Sequence, residues 1–92
     1  MEYTAKQLEQ IRQFAERLTP PSEISVLLGL RSEREFLEDI KTPDNAARIA
    51  LLSGMNKTMD SIRQRNIQLA NACSPAAIEQ CSTYIRTIIK DM

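Results

Sequence analysis

Two thiols and a knot of four carboxylates are the side chains in this sequence whose spacing first invites a chemical reading. Glu33, Glu35, Glu38 and Asp39 fall close together, and such a group could hold a divalent cation or act as an acid/base pair. Cys73 and Cys81 could supply a nucleophile or part of a zinc site. Neither reading finds its complement. The sequence has no histidine to activate a serine or cysteine, and the two cysteines are not a CxxC pair. On a short amphipathic helix the carboxylates are the solvated face. The cysteines stand where apolar residues are expected, so both should be reduced and buried. Gly29 and Gly54 stand alone, so no glycine loop cradles a phosphate. The chain is not read as an enzyme, and no catalytic residue, metal or cofactor is expected.

Binding is the alternative to catalysis, and charge bounds it. The 92 residues carry no net charge, so the molecule as a whole has no strong field to draw in nucleic acid or membrane. The charge is unevenly spread. Residues 1–44 hold six basic against nine acidic side chains, net −3, and residues 45–92 hold six against three, net +3. No signal peptide opens the chain and no apolar run approaches the roughly 18 residues of a membrane span, so a cytoplasmic protein without a membrane partner is expected.

The elements that would position these charges are all helical. Few glycines accompany many Ala, Leu, Ile, Gln, Glu and Arg, and no segment alternates like a strand. A first helix starts at Thr4, which has capping-box spacing to Gln7, and turns Leu8, Ile11, Phe14, Ala15 and Leu18 inward. Thr19-Pro20-Pro21 ends it. Thr19 or Ser22 caps a second helix, which buries Ile24, Leu27 and Leu28 and stops at Gly29, a residue suited to a left-handed C-cap. Ser32 and Glu35 form a second capping box, opening a third helix with Phe36, Leu37 and Ile40 inward. Thr42-Pro43-Asp44 starts a fourth, which runs to Ser74-Pro75 with Gly54 as its one weak point, at a cost of about 1 kcal/mol relative to alanine. The last helix carries Ala77, Ile78, Cys81, Ile85, Ile88 and Met92 and folds back as the antiparallel neighbour of the fourth.

Two features of this plan suggest binding. Ile24, Leu28, Gly29, Leu30, Phe36 and Ile40, with the small Ser25, have the offsets of a helix-turn-helix frame, although a plain helical corner meets the same requirements. Arg31, Arg34 and Lys41 would lie on the outer face of that corner. Lys57, Arg63 and Arg65 offer a second basic surface, or simply the solvated face of a long helix. Leu52, Met55, Met59, Ile62, Asn66, Leu69 and Cys73 alternate spacings of three and four. That seam fits a coiled coil between chains as well as an intramolecular hairpin, and a buried Asn66 would set register.

The stretch Glu23–Phe36, with I-S-x-L-L-G-L and a phenylalanine seven residues after the glycine, resembles the N-terminal helix-turn-helix of phage small terminase subunits and related prophage proteins. Ile62–Ile85, I-R-Q-R-N-I-Q-L-A-N-A-C-S-P-A-A-I-E-Q-C-S-T-Y-I, resembles the arginine-led helix, A-x-x-G-S-P-A-A turn and closing helix that follow in such proteins. The resemblance implies a non-catalytic subunit that recognises double-stranded phage DNA, self-assembles through helical hairpins and serves a large terminase subunit. The sequence departs from the family at two places. Cys73 stands where the family turn tends to carry glycine, which leaves room for a different turn, and the candidate recognition helix is acidic.

The expectation is therefore an all-α protein of five helices. Residues 1–43 form a three-helix helix-turn-helix head and residues 44–92 a long helical hairpin. Arg31, Arg34, Lys41, Lys57, Arg63 and Arg65 would contact DNA, and Met55, Met59, Ile62, Asn66 and Leu69 would mediate a homo-oligomer. A protein-interaction or assembly module with a helix-turn-helix that binds no DNA, and a transcriptional regulator of a mobile element, are the contrasting expectations.

Overall fold

A computed structural model describes residues 1–92 as five α-helices and no strand: α1 (Ala5–Glu16), α2 (Pro21–Leu28), α3 (Glu33–Asp39), α4 (Ala46–Asn71) and α5 (Pro75–Asp91). The all-α expectation holds. None of the helices is long and apolar enough to cross a membrane. The chain forms two compact units, Met1–Thr58 and Met59–Met92, which divide within α4.

Helix starts follow local chemistry, with three corrections. At α1 the Thr4 hydroxyl accepts the Gln7 N–H at 3.1 Å and the Gln7 side chain accepts the Thr4 N–H at 2.9 Å, the full reciprocal box. At α3 only half of the box forms: Ser32 Oγ accepts the Glu35 N–H at 3.2 Å. At α2 neither Thr19 nor Ser22 caps. Pro20 occupies the cap position without a side-chain hydrogen bond, because Pro21 already supplies the preset φ of a first helical residue. At α4 the helix begins two residues after Asp44. Asp44 takes φ 66°, and Asn45 Oδ1 instead accepts the Ala47 N–H at 2.9 Å.

Three helices end in the same way. In each, a left-handed residue follows the helix, and its own N–H and the next one return to the last carbonyls, a Schellman motif. After α1 the left-handed residue is Leu18, with Leu18 N–H to Ala15 C=O at 2.9 Å and Thr19 N–H to Phe14 C=O at 3.0 Å. After α2 it is Gly29, with hydrogen bonds of 3.1 Å from Gly29 N–H to Val26 and from Leu30 N–H to Ser25. After α4 it is Cys73, with Cys73 N–H to Ala70 at 2.9 Å and Ser74 N–H to Leu69 at 3.0 Å. The chain has therefore already left the helix at Leu18, which is exposed rather than inward. Cys73 adopts the conformation that a glycine would, and it too is exposed, with Cys81 half-buried, so neither thiol is a core residue.

A left-handed L-residue costs about 1–2 kcal/mol, against which glycine adds roughly 0.5–1 kcal/mol of unfolded-chain entropy. Cys73→Gly and Leu18→Gly should therefore each be neutral to stabilising, by up to about 1 kcal/mol, in urea titrations. A clear loss in either variant would mean that the side chain makes a contact outweighing its backbone strain.

The core of the first unit is Ile11, Ala15, Ile24, Phe36 and Ala47, all fully buried, with Leu51 beside them. On the two-turn α2 the buried arc runs through Ile24, Ser25 and Leu28. Leu27 lies off it and is exposed, contrary to expectation. Ser25 is small enough to let neighbouring elements approach. The first half of α4 joins this core through Ala47, Leu51 and Gly54, so the first unit extends past residue 43 to Thr58. Gly54 does not interrupt α4. It is buried where α4 meets α1, and a Cβ there would stand 2.9 Å from both Ala15 Cβ and Glu16 N, and closer still to the Arg12 carbonyl. The same crossing is closed by Thr58 Oγ1 donating to the Glu16 carbonyl.

In the second unit Asn66 Nδ2 donates to the Tyr84 hydroxyl at 2.9 Å, and the Arg63 guanidinium stands 5.9 Å from the Tyr84 ring centre. These contacts set the register of the hairpin. Ala77 is the only buried residue of the unit.

Candidate nucleic-acid interface

The corner between α2 and α3 is built by Gly29, whose φ of 65° turns the chain, and by Phe36, fully buried beside Ile24. Of the frame residues, Leu28, Leu30 and Ile40 pack around this core as half-buried neighbours. Arg48 Nη1 donates to the Ile40 carbonyl at 2.8 Å and closes the end of α3. The outer surface of the corner is thus held by a rigid interior.

The cations on it differ in availability. Arg31 and Lys41 flank α3 on either side, exposed and without an acidic partner, although Glu2 shares a shallow depression with Arg31. Arg34 lies 3.5 Å from Glu38, with side chains 89% and 67% exposed, a pair loose enough to open at little cost. Lys57, on α4, lies 3.3 Å from the Glu16 carboxylate. Arg63 and Arg65 belong to the second unit. Arg63 rests against Tyr84, and Arg65 is exposed. Arg34 lies on α3, with Arg31 and Lys41 on its two flanks. The six basic residues do not all lie in one unit.

The acid excess of α3 is smaller in space than in sequence. From Arg31 to Lys41 there are three bases and four acids. Asp39, however, faces inward with its side chain 16% exposed, where it accepts the Tyr3 hydroxyl at 2.6 Å and lies 3.4 Å from the N-terminal amine. Without Asp39 the outer surface of the segment is balanced. Glu33 and Glu35 remain in the first turn, where they complement the helix dipole and would also compete with a phosphate.

Tyr3 is the residue that sequence reasoning missed. Its ring meets Phe36 edge-on, with centres 6.3 Å apart and planes at 68°. Its hydroxyl pKa is pushed well above the ordinary tyrosine range, first by burial and then by the hydrogen bond and negative charge of Asp39, with a smaller contribution from Glu35. One local signal was available: Tyr3 immediately precedes the capping box, the position from which an apolar side chain packs back on its helix. Nothing local identified Asp39 as its partner. On α1, hydrogen bonds from Arg12 hold the exposed Glu9 carboxyl below the usual carboxylate range, and Glu9 in turn raises the guanidinium pKa.

The proposed oligomer seam is also divided. Met55 is an exposed residue of the first unit. Met59, Ile62, Asn66 and Leu69 line one side of a groove whose other side is Ala77, Gln80 and Tyr84 of the same chain. Asn66 thus spends its amide within the hairpin. No group of His, Cys, Asp or Glu side chains is arranged to hold a metal ion, the carboxylates of α3 included. Comparison with family models, curated proteins and solved structures finds no match to this chain.

Proposed function

We propose that this chain is a small, non-catalytic DNA-recognition protein of the phage small-terminase type, which acts as an oligomer and presents the α2–α3 corner to double-stranded DNA. The observation that carries the reading is the construction of that corner. A glycine-turned pair of helices is locked by Ile24 and Phe36, Arg31 and Lys41 are exposed beside α3, and Asp39 is withdrawn beneath it. The glycine-like conformation of Cys73 supports the same resemblance, since the turn keeps the backbone shape although it lacks the glycine. On this reading Arg31, Arg34 and Lys41 approach the duplex, Arg63 and Arg65 contact phosphate, and a large terminase subunit is the downstream partner.

Arg31 and Lys41 in the head, with Arg63 and Arg65 in the second unit, imply weak binding by one copy. Each phosphate neutralised contributes roughly −0.9 to the slope of log K against log salt, so one copy should show a slope of about −4, and an oligomer a multiple of it. Anisotropy of a labelled duplex should detect binding at micromolar protein in low salt and its loss at moderate salt. Arg31→Glu and Lys41→Glu should each weaken it, and Arg34→Glu should do more damage than Glu38→Gln. Absence of binding at low salt would end the DNA reading. The reverse order for the Arg34 and Glu38 variants would put DNA on another surface.

A second reading, an assembly module that binds no DNA, is favoured by Glu33 and Glu35 at the N-terminus of α3 and by the unpartnered apolar surface of α5. The same titration separates the two.

A further inference from the structure

The second unit has much less interior than its sequence calls for. Met59–Met92 comprises the second half of α4 and α5, two helical pieces that bury little between them. Its cysteines are free and it has no metal-holding group. Ala77 is its only buried residue, while Ile85, Ile88 and Ile89 are 58%, 60% and 64% exposed in the whole chain. These belong to one stripe. Ile78, Cys81, Ile85, Ile88 and Met92 follow one another at spacings of three and four, the repeat that keeps an apolar seam facing a partner helix, and Ile89 widens it.

We infer that this stripe on α5 is a self-association surface, covered by the α5 stripe of a second copy of this chain. The α4 residues that sequence spacing first suggests offer less to a second copy, since Asn66 is satisfied by Tyr84 and Met59, Ile62 and Leu69 line the groove between α4 and α5. The inference rests on the self-association half of the proposed function and not on its DNA half.

Charge selects the occupant. No charged side chain interrupts the stripe; helical spacing puts Glu79 and Lys90 on the far side of α5, with Arg86 and Asp91 at the flanks of the stripe. The four charges of α5, with Asp91, cancel, so two copies meet without repulsion and without a charge to strip of water. A partner chosen by charge would find nothing here to recognise. A matching row of aliphatic knobs and holes is what the stripe itself offers.

Area sets the strength. A fully exposed aliphatic side chain carries on the order of 100 Å² of apolar surface. At the observed exposures the stripe presents roughly 400 Å² per copy, within the range of the largest functional patches on single chains. Two stripes face to face remove about 800 Å², short of the roughly 1,200 Å² at the lower end of stable specific interfaces. The association is therefore reversible and concentration-dependent.

Sedimentation velocity of the full chain without DNA tests this. The wild type should pass from monomer to a larger species between low and high micromolar concentration. Ile85→Lys should shift that transition by roughly a hundredfold or more, because a two-fold contact loses the residue from both copies. Ile62→Lys should leave it in place. The double variant Ile85→Ala with Ile88→Ala keeps helix propensity and should weaken association with far-UV circular dichroism unchanged at low concentration. A wild type that stays monomeric throughout, its stripe then belonging to another protein or to none, overturns the inference. So does association that survives the alanine pair, or that is lost in Ile62→Lys and kept in Ile85→Lys. Because no DNA is present, failure here leaves the duplex titration to decide its own question.

Discussion

Gly54→Ala is expected to destabilise the Met1–Thr58 unit by about 2 kcal/mol, and Gly54→Val by more. In an exposed helix interior the alanine change would have the opposite sign, a gain approaching 1 kcal/mol from reduced unfolded-chain entropy and better helix propensity. Here the added methyl meets backbone. The Arg12 carbonyl and the Glu16 nitrogen cannot rotate away as a flexible side chain would, and Ala15 Cβ closes the remaining side at 2.9 Å. Helices α1 and α4 must separate, which loosens Ala15, Ala47 and Leu51 in the core and disturbs the Thr58 hydrogen bond to the Glu16 carbonyl. Overpacking of this kind costs about 1–3 kcal/mol, enough to outweigh the propensity gain. For a unit of this size the midpoint should fall by about 10 °C. Thermal and urea unfolding of the two variants check the sign directly. A more stable Gly54→Ala protein would show that α1 and α4 are not in contact at this residue.

The second large effect is expected at Tyr3, where two substitutions divide the contribution of the ring from that of the hydroxyl. Tyr3→Ala removes the edge-on contact with Phe36 and the hydrogen bond to Asp39, and should cost about 3 kcal/mol. Tyr3→Phe keeps the ring and should cost about 1–2 kcal/mol, the range for a hydrogen bond to a charged group in partial contact with water. The pH dependence has a definite sign. The folded-state pKa of the phenol is raised, so its stabilisation is fully present below the ordinary tyrosine pKa of about 10. Above that pH the unfolded chain releases the proton while the folded chain retains it, and stability falls as pH rises. The wild type should therefore lose stability above about pH 10 more steeply than Tyr3→Phe. Parallel alkaline profiles would mean that the Tyr3 hydroxyl is not held by Asp39.

On the proposed DNA reading, Tyr3 also has a predicted effect on binding. The same hydrogen bond, together with the N-terminal amine 3.4 Å away, holds Asp39 beneath α3. Tyr3→Phe should return a carboxylate to the neighbourhood of Arg31, Arg34 and Lys41 and weaken duplex binding with those cations unchanged. A stability residue distant from the outer face would then modulate binding through the charge it sequesters.

The helices were legible in the sequence because their signals are local. Thr4 with Gln7, Ser32 before Glu35, and Gly29 after Leu28 each act within one turn of backbone, and apolar spacing of three and four marks which side of a helix seeks cover. That was enough for five helices, the absence of strands and the turn at Gly29. Neighbouring chemistry misled where two local signals competed. Leu18 continues the apolar spacing of α1, yet Pro20 and the Schellman turn end the helix before it. Thr42-Pro43-Asp44 looks like a helix start, yet Asn45 supplies the cap.

What a residue touches across the fold was decided only by tertiary structure. Gly54 reads as a weak point in a long helix and proves to be the place where α4 can approach α1, because its missing side chain matters only against neighbours 38 residues or more away in sequence, from Glu16 to Arg12. Asp39 reads as one more repelling carboxylate and is removed from the surface by Tyr3, 36 positions earlier. Asn66 reads as a polar residue on an intermolecular seam and is satisfied by Tyr84 of its own hairpin, while the α5 stripe is left as an apolar surface without cover. Capping and periodicity act within a few residues and can be read from the chain. Close approach, charge withdrawal and exposure depend on which distant residues the fold brings together, and no local spacing records them.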